Sequence, residues 1–137
     1  MRVECLEFAK RKMLIPRQTL ENLLLTSVLD VRFVRRMQSP NKAPTRRMIC
    51  TKSYELLNST NGKIVLNYRP PTHVKKVNEA KENLCVVWDI LMQDYRTVSA
   101  DQVTVVKEIP ANDEFWDYFN KEIYPLSMEQ KIQFMDS

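Results

Sequence analysis

Side chains that could perform acid–base or metal chemistry are few in this sequence of 137 residues. The one histidine, His73, stands near two prolines and two lysines, as a solvated loop residue would. A histidine-dependent triad would rest wholly on it, and one imidazole cannot make a histidine-rich metal site. Asp89 and Asp94 could do acid–base work or hold Mg²⁺, but carboxylates beside turns are usually solvated surface. The sequence therefore predicts no catalytic residue, no metal site and no cofactor.

Glycine and cysteine usage excludes further kinds of site. Gly62 is the single glycine, whereas every glycine-rich phosphate loop needs at least two. Cys5, Cys50 and Cys85 form no C-x-x-C pair, and the last two fall in apolar runs. The sequence predicts free cysteines that act as small buried hydrophobes in a reducing compartment.

Basic and aromatic residues offer better support for binding than for catalysis. Small antiparallel barrels bind nucleic acid by combining a basic groove with aromatic rings that stack on bases. The candidate residues here are Arg35, Arg36, Arg46, Arg47, Arg69, Lys75, Lys76 and Arg96, with Tyr68 and Tyr95 among them. The alternative is that the arginines are ordinary solubilising charge and that the tyrosines are half-buried sheet residues.

Charge is unevenly distributed along the chain. Residues 1–47 hold 11 Lys/Arg against 4 Asp/Glu, whereas residues 108–137 hold 2 against 7. The net charge of +4 therefore hides a basic first third and an acidic last fifth. This polarity indicates either a nucleic-acid-facing surface with an acidic counter-face or two parts that attract each other within the fold.

Two strands are expected to position the first four arginines. Apolar side chains occupy alternate positions from Leu29 to Phe33, which predicts that Ser27–Arg36 is a strand with one buried face. Ser39–Pro44 has the composition of a turn, and Arg46–Thr51 is predicted to return as the second strand of a hairpin. The arginines would then lie together at the end of this hairpin.

The middle of the chain is expected to be mixed. Lys52–Ser59 is predicted to hold a helical turn, and Asn61-Gly62 is the strongest two-residue turn signal in the chain. Lys63–Tyr68 is interpreted as another strand. Arg69–Lys76 contains two prolines, which predict an extended, exposed, basic loop.

Leu84–Val106 contains three short strand-like runs separated by brief polar corners. The runs are Cys85–Trp88, Tyr95–Ser99 and Val103–Val106, and their lengths fit strands better than helices. The sequence predicts an antiparallel meander. Trp88 lies in the most apolar run and is predicted to be buried.

Helical patterns flank these strands. Val3–Met13 is compatible with a short amphipathic helix, and Arg17–Leu24 carries a leucine stripe after Pro16. Near the other end, Asn112 or Asp113 is a predicted N-cap for a helix through Tyr124. The apolar stripe of that helix is Phe115, Trp116, Phe119 and Ile123. Ser127 and Gln130 form a capping-box pattern for a last short helix, with Met128, Ile132 and Met135 in it.

These elements predict an α+β protein with one domain over residues 1–137. A helical extension (1–26) would precede a small antiparallel β-barrel or meander (28–108), and helices at 112–136 would pack on it. No secretory signal and no membrane-length apolar run is present in this sequence, so a soluble cytoplasmic protein with no membrane partner is expected.

Five short motifs carry a resemblance to a known family. They are Val31–Arg36, Thr45–Thr51, Tyr68–Pro71, Val86–Asp89 and Tyr95–Val98. Over about residues 28–107 their order resembles that of small tailed-bacteriophage proteins with a predicted SH3-like (Sm-like) β-barrel, although Tyr95 stands where that pattern favours tryptophan. The resemblance implies an SH3-like barrel, a phage origin and a bacterial cytoplasm, and it assigns no catalytic residue.

Two functional hypotheses follow. The first is a non-enzymatic phage accessory or regulatory protein that binds DNA or RNA through the arginine-rich hairpin. The second is a protein-binding module that inhibits or redirects a host polymerase, nuclease or defence factor. If the acidic C-terminal segment docks on the strands, it could also limit phosphate access to the arginines, although its three aromatics favour a structural role.

Overall fold

A computed structural model describes residues 15–35, 40–41, 43–71 and 78–137. In these ranges the chain forms six α-helices and a five-stranded antiparallel sheet, which confirms the predicted α+β class. The helices are α1 (Arg17–Thr26), α2 (Tyr54–Leu57), α3 (Thr60–Val65), α4 (Glu79–Glu82), α5 (Asp113–Tyr118) and α6 (Met128–Asp136). The strands are β1 (Ser27–Val34), β2 (Thr45–Thr51), β3 (Leu84–Asp89), β4 (Asp94–Ser99) and β5 (Val103–Pro110). The predicted helix Val3–Met13 lies outside the described residues.

The strand order is β4-β3-β2-β1-β5. The predicted hairpin of β1 and β2 is confirmed, with Phe33 opposite Arg46, and β3 pairs with β4 as expected. The predicted meander is wrong for its third strand, because β5 pairs with β1 at the opposite edge instead of with β4. A 3₁₀ turn at Ala100–Gln102 separates β4 from β5.

The sheet is open. β4 and β5 are its two edge strands, and no hydrogen-bonded pairing joins them within the part of the chain that the structure describes. The closure expected of a barrel is therefore not found there. β5 also runs to Pro110, four residues beyond its predicted end, with a register shift opposite Asp30 and Val31.

Both faces of the sheet are buried over much of its area. On one face, Leu29, Val31 and Met48 pack with Leu20 and Leu24 of α1. A second core, on the other side, joins sheet residues to helices: Val28, Ile49, Trp88, Ile109, Phe115, Phe119 and Ile123 belong to it. β1 was expected to bury one face, but every residue from Ser27 to Val31 is buried, and alternation begins only at Arg32.

Local signals at both ends of the described chain are confirmed. Helix α1 follows Pro16 and buries Leu20 and Leu24. The Asn112 side chain accepts a hydrogen bond from the Glu114 amide at the start of α5, and a π-helical turn continues α5 through Ile123. Ser127 and Gln130 form the predicted capping box of α6.

Gly62 does not form the predicted turn, and Lys63–Tyr68 is not a strand. The Ser59 side chain instead caps α3 by accepting a hydrogen bond from the Gly62 amide. A Cβ atom on Gly62 would lie 2.2 Å from the carbonyl oxygen of Leu56. Glycine is present because two short helices approach each other closely, not because the backbone needs a positive φ angle.

Candidate nucleic-acid interface

The structure separates the residues predicted to bind nucleic acid. Arg35, Arg46, Arg47, Arg69, Arg96, Tyr68 and Tyr95 lie in the described part of the chain, whereas Arg36, Lys75 and Lys76, like His73, lie outside it. Neighbouring residues of a strand point to opposite faces of a sheet. Arg46, opposite Phe33, and Arg47, opposite Arg32, therefore cannot line the same groove.

Three of the predicted arginines come together in one cleft. Arg35 follows β1, Arg46 lies on β2 and Arg96 lies on β4, and their side chains line a cleft of about 490 Å³. We call it the arginine cleft. Its remaining lining residues are Asn41, Ala43, Met92, Ile132, Met135 and Asp136. Cationic groups thus stand beside apolar walls, which suits an anion that carries an apolar part.

A buried carboxylate holds the guanidinium groups of this cleft in place. Asp89 is 0% exposed, and its Oδ2 accepts a hydrogen bond from Arg46 Nη2 at 2.6 Å and lies 4.0 Å from Arg96 Nε. Its Oδ1 accepts hydrogen bonds from the amides of Leu91 and Met92, both at 3.0 Å. Asp89 was expected to be solvated surface, and that expectation is wrong because the turn after β3 folds over its side chain.

Arg46 retains hydrogen-bonding capacity inside the cleft. Its Nε is buried and has no hydrogen-bond acceptor among the described residues, and Nη2 lies 3.1 Å from Met135 Sδ. A guanidinium has five N–H donors, and sulfur is a weak acceptor. Asp89 therefore positions Arg46, whose side chain is 11% exposed and can meet an anion through that exposed part.

Tyr68 and Tyr95 are poor candidates for stacking on bases. Tyr68 is buried, and its ring meets Trp88 edge-on with centroids 5.2 Å apart. The Tyr95 hydroxyl donates to the carbonyl oxygen of Arg69 at 2.9 Å and lies 3.0 Å from the Tyr68 hydroxyl. Burial, with the hydrogen bond to Tyr68, raises the pKa of Tyr95 above its ordinary value. These rings support the fold around Trp88.

Arg69 belongs to the same aromatic group. Its guanidinium carbon lies 5.3 Å from the centroid of the Trp88 ring, and Nη2 is 3.5 Å from Asp94 Oδ1. Asp94 also pairs with Arg96 Nη1 at 3.4 Å. Both residues of the Arg69–Asp94 pair are exposed, so this contact contributes little to stability.

A second basic surface, which the sequence did not predict, lies on the other face of the sheet. Arg32, Arg47 and Lys107 lie on the neighbouring strands β1, β2 and β5, around the buried Asp30. We call these three cations the sheet-face patch. Burial of Asp30, opposed by its hydrogen bond from Arg47, raises the pKa of that carboxyl. Strand alternation indicates that Arg32 shares a face with Asp30, but the pairing with Lys107 depends on the unexpected position of β5.

The last turn of α6 reaches both basic surfaces. Asp136 Oδ1 lies 3.3 Å from Arg35 Nη2, and Met135 contacts Arg46. The Phe134 ring packs against Arg47, with 4.3 Å from the guanidinium carbon to the ring centroid. No residue of α6 is buried, so these contacts hold the helix to the surface without a core of its own.

A further buried ion cluster is structural. Lys52 is 3% exposed, and its Nζ lies 2.9 Å from Glu21 and 2.5 Å from Glu79. Those hydrogen bonds outweigh burial and raise the pKa of Lys52. The cluster ties α1 to α4 and leaves no open position for a substrate.

Two kinds of feature are absent from the described residues. Across 15–35, 40–41, 43–71 and 78–137, no group of three or more His, Cys, Asp and Glu side chains is arranged to hold a metal ion. None of the helices described in those ranges has the length and apolar character needed to span a bilayer.

Comparison with known proteins gives no match for this chain among protein-family models, curated proteins or solved structures.

Proposed function

We propose that this protein is a non-enzymatic nucleic-acid-binding protein that contacts phosphates of DNA or RNA in the arginine cleft. The convergence of Arg35, Arg46 and Arg96 from separate elements on one cleft carries this proposal. Arginine is suited to phosphate because its planar fork of donors matches phosphate oxygens.

Binding in the cleft competes with the protein's own carboxylates. Asp136 pairs with Arg35 and is exposed, so a phosphate can replace it. Asp89 is buried and remains beside Arg46. The cleft therefore offers fewer uncompensated charges than its three arginines suggest, and we expect modest affinity that depends steeply on salt.

The proposal includes the fold and origin implied by the resemblance to tailed-phage proteins. Five antiparallel strands, the pairing of β1 with β5 and the 3₁₀ turn before β5 support an SH3-like arrangement with incomplete closure. A phage accessory or regulatory role in the bacterial cytoplasm follows from that resemblance.

The second candidate is a protein-binding module that acts on a host protein. Three large apolar side chains near the C-terminus favour it: Tyr124, Met128 and Ile132 are 75%, 57% and 46% exposed. Met128 and Ile132 are one turn apart on α6, and exposed apolar residues on one surface mark protein interaction sites. Ile132 also lines the arginine cleft, so the two functions would use adjoining surfaces.

Binding of labelled single-stranded DNA and RNA at increasing salt tests the first candidate. Three phosphate contacts predict a slope of roughly −2 for log K against log salt. Arg35→Gln and Arg96→Gln should each weaken binding and reduce the slope, whereas Lys63→Gln, which removes the same charge from an exposed position outside the cleft, should do neither. No binding at low salt, with stoichiometric capture of one host protein that Ile132→Ser abolishes, would replace the first candidate with the second.

A further inference from the structure

The sheet-face patch contains two arginines placed directly opposite each other. Arg32 of β1 and Arg47 of β2 are register partners. Side chains at such positions start from Cβ atoms only about 5 Å apart, and like charges there are destabilising. Lys107 of β5, opposite Asp30 on the other side of β1, adds a third positive charge.

Asp30 is the one carboxylate of the described residues that forms an ion pair with a cation of this patch. Asp30 Oδ2 accepts a hydrogen bond from Arg47 Nη2 at 2.5 Å. Arg32 is exposed and makes no ion pair or side-chain hydrogen bond with any residue in the described ranges. The patch therefore keeps a net charge of about +2, in contrast to the arginine cleft, where carboxylates offset most of the positive charge.

Aromatic rings fix the orientation of two of the cations. The Lys107 ammonium lies 4.9 Å from the centroid of Tyr118, and Phe134 packs against Arg47. Both rings are half-buried at the border of the patch. These ring contacts hold Lys107 and Arg47 in place without adding a negative charge to the patch.

We propose that the sheet-face patch is a second phosphate-binding site, at which Arg32, Arg47 and Lys107 contact the sugar-phosphate backbone of a nucleic acid. This inference rests on the proposed function and extends it from the cleft to the opposite face of the sheet. A phosphate between Arg32 and Arg47 would convert an unfavourable like-charge pair into two favourable charge-assisted contacts. Contacts to phosphate position a nucleic acid without reading its bases, so we expect little sequence preference at this site.

Arg32→Gln separates this role from a structural one. Removal of one of two facing like charges should leave the melting temperature unchanged or raise it. It should also weaken oligonucleotide binding several-fold and reduce the salt slope by about one, as expected for loss of one phosphate contact. Lys107→Gln should reduce the slope similarly. A lower melting temperature with an unchanged slope would overturn the inference.

The matched control is Lys63→Gln, which changes the net charge equally outside the patch. An equal loss of slope in this control would show that only total charge matters, and the inference would fail. Loss of binding in Arg96→Gln but not in Arg32→Gln would also refute the patch while leaving the cleft function intact.

A second titration, with inorganic phosphate, distinguishes failure of the patch from failure of the proposed function. It follows the side-chain Nε–H signals of Arg32 and Arg47 by NMR, with chloride at equal ionic strength as reference. Shifts that saturate with phosphate, in a protein that binds no oligonucleotide, would support a phosphate site and reject nucleic acid as its ligand. Oligonucleotide binding without any shift of these two signals would overturn the site and preserve the proposed function.

Discussion

Replacement of Asp89 by asparagine tests whether one buried carboxylate organises the arginine cleft. Asparagine keeps a side-chain oxygen for the Leu91 and Met92 amides but loses the negative charge that faces Arg46. Removal of one partner of a buried ion pair typically costs about 3–5 kcal/mol, because the other charge stays buried and unpaired. The Arg46 side chain is 11% exposed, so water can reach part of it. We therefore expect about 3 kcal/mol, the low end of that range.

Asp89→Ala should lower the free energy of unfolding more than Asp89→Asn does. It also removes the acceptor of two amides, and a buried unsatisfied amide costs about 1–3 kcal/mol. The combined loss approaches the total stability of an ordinary domain, about 5–15 kcal/mol. Urea unfolding of the three proteins near neutral pH measures these differences.

Asp94→Asn is the matched control, because it removes the same charge from an exposed carboxylate that pairs with Arg69 and Arg96. Its cost should stay below about 1 kcal/mol. Asp89→Asn combined with Arg46→Met should be less destabilised than Asp89→Asn alone. If Asp89→Asn costs no more than Asp94→Asn, the Arg46 guanidinium is effectively solvated and the reasoning is wrong.

Three further outcomes are expected. Trp88→Ala should lower the free energy of unfolding by about 3–5 kcal/mol, because a fully buried ring and its contacts are lost, and a near-normal melting temperature would contradict its place in the core. Cys50 and Cys85 should react with a thiol reagent only after unfolding. The reason is that burial raises the pKa of the Cys85 thiol to about 11 and the pKa of Cys50 well above 9.0. The rate of thiol modification at increasing urea measures this dependence on unfolding. The pKa of Asp30 is raised above 3.8, so the folded protein holds this proton more tightly than the unfolded chain does. The free energy of unfolding of the wild type should therefore fall relative to that of Asp30→Asn as pH rises above 3.8. An increase in this difference over that pH interval would refute the raised pKa.

Features set by neighbouring residues could be predicted from the sequence. The Asn112 cap and the capping box of Ser127 and Gln130 depend on hydrogen bonds that span two or three positions. Alternation likewise identified β1, and the turn composition after it predicted that β2 returns as the second strand of a hairpin. Burial of Trp88 followed from the apolar run around it and is confirmed.

Features set by distant segments could not be predicted in the same way. The local sequence around Gly62 favours a turn. In the structure, glycine is needed there because a Cβ atom would clash with the carbonyl oxygen of Leu56 where α3 approaches it. The position of β5 depends on its register with β1, to which Val103–Val106 gives no local clue. The chemistry of the basic residues then follows from this topology, because strand pairing decides which arginine meets which carboxylate.

The C-terminal helix α6 decides how far the arginines are available to a ligand. The sequence predicts that residues 111–137 either shield the arginines or belong to the core. In the structure α5 belongs to the core, and α6 lies against the arginines. Phe115, Phe119 and Ile123 are buried, so removal of residues 111–137 should expose a large apolar surface and cause aggregation. Removal of residues 126–137 takes away α6, none of whose residues is buried, although Phe134 and Met135 pack against the second core.

We expect the protein without residues 126–137 to keep the oligomeric state of the full chain and to bind oligonucleotides more tightly. Asp136 would no longer pair with Arg35, so a phosphate would no longer compete with its carboxylate. Asp136→Asn isolates the electrostatic part and should strengthen binding by about 0.2–1 kcal/mol, the scale of an exposed ion pair. Fluorescence anisotropy at low salt measures both variants, and sedimentation checks that each keeps the oligomeric state of the full chain. If an unaggregated truncated protein and Asp136→Asn both bind with unchanged affinity, α6 does not compete with phosphate, and its exposed Met128 and Ile132 would instead favour a partner protein.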